Sequence, residues 1–168
     1  MNINMYRRVE GMLYSHYRKK KKIYILRVRL ARTEERIYKL RKDIRECNVE
    51  LEDTLQAIDY SKDKVQTSST ISNIEKSLEI AIDKLIKELG INIRQKYKLK
   101  NKIMNLEKQI ENIDMLLEKL TDEELEIVEL KYAEEMNYRE MEQKLFMARS
   151  TIQRKKDRII KFLIEEIK

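Results

Sequence analysis

Apolar residues in the first third of the chain recur at alternating steps of three and four. Ile23, Leu26, Leu30, Thr33, Ile37, Leu40, Ile44, Cys47, Leu51, Thr54 and Ile58 keep this rhythm without a break. That is the 3.5-residue period of a helix seated against another helix. Met5–Met12 extends it upstream, since Gly11 alone costs only about 1 kcal/mol inside a helix. The segment reads as a basic coiled-coil region over residues 1–60, whose helix of about 55 residues is roughly 80 Å long. Thr33 and Thr54 weaken the seam and set its register. Cys47 reads as a small apolar filler between Ile44 and Leu51.

The polar stretch SKDKVQTSST at 61–70 predicts a linker. Ser72, with Glu75 three positions on, has the form of a capping box and predicts the start of a second helix. Its apolar stripe is Ile71, Ile74, Leu78, Ala81, Leu85 and Leu89, and Gly90 stands where a C′ residue belongs. A third helix repeats the heptad through Leu99, Ile103, Leu106, Ile110, Ile113, Leu117 and Leu120. The linker and these two helices make a second region, 61–119. Its last helix either folds back on the first as an antiparallel hairpin or pairs with a second chain as a homodimer.

From Leu120 the pattern changes, and a third region, 120–168, is signalled as three short helices. Thr121 and Glu124 form another cap pair, opening a helix that carries Leu125, Val128, Leu130 and Tyr132. Residues 133–136 break it. Asn137 and Glu140 start the next helix, with Met141 and Leu145 inward. Only Phe146, Met147 and Ala148 separate it from a last helix that begins near Arg149 and turns Ile152, Ile159, Ile160 and Leu163 inward. Two short helices joined by a three-residue turn, the second rich in Arg, Lys, Gln, Ser and Thr, suit a reader of the DNA major groove. Arg bonds bidentately to guanine and Gln to adenine, while lysines hold phosphates. The candidate DNA contacts are Tyr138 and Arg139 on the first of the pair. On the second they are Arg149, Ser150, Thr151, Gln153, Arg154, Lys155, Lys156, Arg158 and Lys161.

Composition supports an all-α chain with a long helical N-terminal region and a small C-terminal helix-turn-helix. Its 168 residues include no proline and two glycines, too few to punctuate a sheet protein. The formal charge of +7 is uneven. Residues 1–32 carry ten basic side chains against one acid, 121–146 carry nine acids against three bases, and 147–168 carry seven bases against three acids. Distinct faces with distinct partners are implied. The basic run YSHYRKKKKIYILRVRLAR at 14–32 reads either as a second nucleic-acid contact or as a solvated face over the seam. His16 has no companions at metal-ligand spacing. One cysteine permits no intrachain disulfide, no run approaches the ~18 apolar residues of a membrane span, and no signal peptide opens the chain. A cytoplasmic protein is expected.

The stretch LTDEELEIVELKYAEEMNYREMEQKLFMARSTIQRKKDRIIKFL, residues 120–163, resembles the C-terminal DNA-binding region of bacterial sigma factors. The matching residues are Leu120, Thr121, Tyr138, Glu140, Met141, Leu145, Met147, Thr151, Ile152 and Arg154. The whole chain is similar to small phage-encoded regulators of the ArpU/RinA late-gene activator type. The resemblance implies promoter DNA as partner, and contact between RNA polymerase and the surface around the acidic helix Asp122–Glu129. Three positions depart from the family pattern. Glu142 replaces a small Ala, Phe146 replaces Gly or a small polar residue in the turn, and Ala148 replaces the Ser that caps the recognition helix. Phe146 and Met147 are expected to compensate by packing.

Nucleotide-loop, zinc-protease and triad patterns are missing, so neither an enzyme nor a cofactor is expected. The reading is a sequence-specific transcription regulator, a phage late-gene activator acting with host RNA polymerase. The alternatives are a phage DNA-packaging protein of the small-terminase kind and a coiled-coil scaffold.

Overall fold

The computed structural model describes residues 3–49 and 67–167, with side chains from residue 75 onward in the second stretch. The described residues are helical, with short connections: α1 (Ile3–Glu46), α2 (Thr67–Leu117), α3 (Asp122–Val128), a wide π-helical turn (Glu129–Ala133), α4 (Tyr138–Leu145) and α5 (Arg149–Glu166). Among them no helix is long and apolar enough to cross a membrane.

Two expectations for the middle of the chain fail. The second and third helices are one helix, α2, which passes straight through Gly90. Neither glycine adopts the positive φ that a C′ position uses. A single glycine costs about 1 kcal/mol, and no proline or second breaker adds to it, so the helix continues. The Asn92 side-chain amide also donates to the Glu88 carbonyl at 2.9 Å, along the same helix. At the other end α2 starts at Thr67, which puts Ser72 inside the helix instead of at its cap. The rest of the expected linker, 61–66, and the seam positions Leu51, Thr54 and Ile58 lie outside the described residues, as do the side chains of Ile71, Ser72 and Ile74.

α1 stops at Glu46. The Asn48 amide reaches back to the Asp43 carbonyl at 2.9 Å, and Cys47 between them takes φ 51°. This is a Schellman ending, with a residue other than glycine in the left-handed position. Cys47 is therefore exposed and is not the seam filler expected.

The chain forms two compact units, Met1–Leu26 with Lys102–Lys168, and Arg27–Asn101. In the second unit Thr33, Ile37 and Leu40 are buried on α1, as the heptad predicts. Thr33 is satisfied there by donating its hydroxyl to the Arg29 carbonyl at 2.9 Å. Ion pairs Arg36–Glu88 at 2.7 Å and Lys96–Glu34 at 3.0 Å join α1 to α2 in antiparallel order. Exposed pairs of this kind set register more than stability.

The first unit holds the larger core. Leu117, Ile127, Val128, Leu130, Tyr132, Met141, Ile152, Ile159, Ile160 and Leu163 close together with Val9 and Leu13 from α1. The C-terminal helices thus share a core with the start of the chain, a unit that the boundary at residue 120 does not delimit. The π-helical turn makes room for this. Along an α-helix Tyr132 would point about 140° away from Ile127. Widening the turn brings it inside, where it is almost fully buried.

Candidate nucleic-acid interface

The first two helices of the C-terminal trio, α3 and α4, are each opened by a capping box. Thr121 accepts from the Glu124 amide at 3.4 Å, and its own amide donates to Glu124 Oε2 at 3.1 Å. Asn137 Oδ1 accepts from the amides of Arg139 at 2.9 Å and Glu140 at 3.0 Å. The Asn137 amide donates to Glu140 Oε2 at 2.8 Å, completing the second capping box. Both boxes stand where the sequence pattern predicts. α5 starts without a side-chain cap, as Ala148 foretells.

α4 and α5 are joined by Phe146, Met147 and Ala148 alone. Met141 and Ile152 are both fully buried between them. Met147 packs against the core as expected, but Phe146 does not. It is 95% exposed, at φ 52°. Glu142 is half-buried, and its carboxylate meets Arg149 Nε at 2.9 Å.

The burial of Ile152, Ile159, Ile160 and Leu163 fixes which face of α5 is free. Arg149, Ser150, Gln153, Arg154, Arg158 and Lys161 are exposed, as is Arg139 on α4. Thr151 and Tyr138 are half-buried. Ser150, Gln153 and Arg154 lie in the first two turns of α5 beside Arg149, forming a polar face at the end that enters a groove in such motifs. Arg154 Nε also donates to the Ser150 carbonyl at 3.4 Å.

Two of the candidate lysines are engaged elsewhere. Lys155 pairs with Glu123 of α3. Lys156 is only 8% exposed, and this corrects its assignment to the outward face. Its ammonium donates to Glu10 Oε1 at 2.9 Å and lies 5.3 Å from the Tyr6 ring centre and 5.8 Å from that of Tyr138. The helical step explains the difference, since Lys156 falls between Ile152 and Ile159 on the buried stripe. Burial works against its charge, but interactions with Tyr6, Glu10 and Tyr138 prevail and raise its pKa. Glu10 also accepts from the Tyr132 hydroxyl at 3.2 Å, and the Tyr6 hydroxyl donates to Asp157. Burial, with that bond to Asp157 next, pushes the Tyr6 hydroxyl up to about 12.

Tyr6 and Glu10 have no place in the local helix-turn-helix pattern, yet they brace the back of α5. One signal was available: Glu10 is the single acid among the ten bases of residues 1–32. On the far side the acids Asp122, Glu123, Glu126 and Glu129 are exposed around α3. No family model, curated protein or solved structure matches the chain.

Proposed function

We infer that the protein is a sequence-specific DNA-binding transcription regulator, working as a phage late-gene activator together with host RNA polymerase. The observation that carries this reading is the α4–turn–α5 pair. Its helices are held by the Met141–Ile152 core, and it offers Arg149, Ser150, Gln153 and Arg154 at the exposed N-terminal end of α5. The resemblance of residues 120–163 to the DNA-binding end of sigma factors supports the same role, and the exposed acids of α3 give RNA polymerase a surface to meet. In this reading Arg149 and Gln153 read base edges, while Arg139, Arg158 and Lys161 hold phosphates.

Selection of randomised duplexes with the full chain tests it. A defined motif should emerge, and Arg149→Ala and Gln153→Ala should each lose about 1–3 kcal/mol of discrimination at particular base pairs. Equal binding of every duplex by the wild type would overturn the reading. A large ring in light scattering would favour a packaging role instead.

A further inference from the structure

The α5 face is short of free cations for a duplex binder. In that reading Arg149 serves a base edge, while Lys155 pairs with Glu123 and Lys156 with Glu10, so among the described residues α5 keeps Arg154, Arg158 and Lys161 for phosphates. A second set stands on α1 in the same compact unit. At the helical step, Arg7, Gly11, Ser15, Arg18 and Lys22 fall within one sector of about 80°. All five are exposed. Lys19 flanks them, and around Gly11 and Ser15 lies a groove of about 520 Å³. A Cβ added to Gly11 would meet nothing within 4 Å, so its floor is open. Glu10, the one acid of residues 1–26, points away, bonded to Lys156 and Tyr132. Arg18 is 75% exposed, and its ion pair among the described residues is a long one, 3.6 Å to Glu135.

That contact, with the edge-to-face packing of Tyr14 on Tyr132 at 4.8 Å, places the groove beside the loop that leads into α4. The first helix of a helix-turn-helix crosses the DNA backbone. We propose that the basic groove of α1 binds the sugar–phosphate backbone of the duplex flanking the site read by α5. Small side chains at Gly11 and Ser15 admit the backbone, and Arg7, Arg18, Lys19 and Lys22 supply the charge. The inference rests on the helix-turn-helix reading and adds a second, sequence-independent contact to it.

The test uses the full chain, a selected duplex and its flank-extended form, and the double variant Arg7→Gln/Lys22→Gln. Neither residue has an ion-pair partner among the described residues. The variant should show the same base preference and the same melting temperature as the wild type. Its log–log salt slope should be smaller by about 1.8 and its binding at 0.1 M salt weaker on the order of 50-fold, the loss expected for two phosphate contacts. Hydroxyl-radical protection of the flank should disappear. An unchanged slope and flank protection, with Arg149→Ala still altering base preference, would overturn the α1 groove alone. Failure of every form to bind duplex DNA would overturn both readings. Equal dependence on these residues for anionic vesicles, with none for the duplex, would assign the groove to a membrane surface and overturn the proposal.

Discussion

Lys156 of α5 and Glu10 of α1 meet at 2.9 Å across 146 positions of the chain. The pair is an internal strut. It is set among Tyr6, Tyr132 and Tyr138, and it fixes α5 to the first turns of the protein.

Lys156→Ala should therefore act on folding. Removing one partner of a fully enclosed pair costs about 3–5 kcal/mol, and partial exposure of Glu10 lowers this to about 1–3 kcal/mol. Urea melts should show the loss, and Lys156→Met, which keeps most of the stem packing, should recover part of it. The salt slope of DNA binding should stay at its wild-type value in conditions where the variant is folded. A slope reduced by about one unit, with stability intact, would mean that Lys156 reaches a phosphate after all.

Much of this arrangement was legible in the amino-acid pattern. The α1 seam as far as Leu40, both capping boxes, the three-residue turn and the inward set of α5 follow from short-range rules of period and capping, and they appear where those rules put them. The parts that were not legible depend on distant partners. Lys156 looked like any exposed lysine until Glu10 and Tyr6 arrived from the other end of the chain. Gly90 carried the mark of a helix end, but one glycine cannot outweigh an unbroken run of helix formers on both sides. Cys47 kept the heptad rhythm, and only the backbone bond between Asn48 and Asp43 ended the helix before it.

Ile152 anchors α5 against α4 with no exposed surface. Ile152→Ala should destabilise the unit by about 2–5 kcal/mol through lost burial and an unfilled cavity. Lys161→Ala, on the exposed face, should stay within about 0.5 kcal/mol of wild type. Denaturant midpoints at constant m-value separate the two. Similar stabilities for both variants would show that the assigned faces of α5 are wrong.

Phe146 spends backbone energy without evident packing in return. The left-handed conformation costs a side-chain-bearing residue about 1–2 kcal/mol, and the 95% exposed ring gains little from burial. Phe146→Gly should raise stability by about 0.5–1 kcal/mol, the conformational relief exceeding the added freedom of the unfolded chain. Thermal melts at fixed pH check this. A drop in stability would reveal that the ring packs in solution. A rise accompanied by weaker DNA binding would give the exposed ring a role at the duplex.

His16 is completely enclosed, and neither ring nitrogen has a hydrogen-bond partner among the described residues. Its Nε2 stands 3.3 Å from Asp114 Oδ1 on α2, an oxygen that Lys20 already holds at 2.7 Å. The Tyr17 ring lies edge-on, 5.1 Å away. Burial drives the imidazole pKa below its usual value of 6.5. Asp114 pulls it back up, while Lys20 and Lys19 push it further down. With the folded pKa depressed, the unfolded chain binds the proton more readily. The contribution to stability is then fully present above pH 6.5 and is lost as pH falls from there through the folded value. Stability should decline between pH 7.5 and about 5.5 with a slope of at most about 1.4 kcal/mol per pH unit from this single proton. His16→Phe should flatten the slope over that window, where most carboxylates have yet to titrate. Urea denaturation across the range compares the two proteins, and NMR of the lone histidine gives its titration directly. A His16 that titrates at or above 6.5, or a variant with an undiminished slope, would show that Asp114 stabilises the charged ring more than burial opposes it.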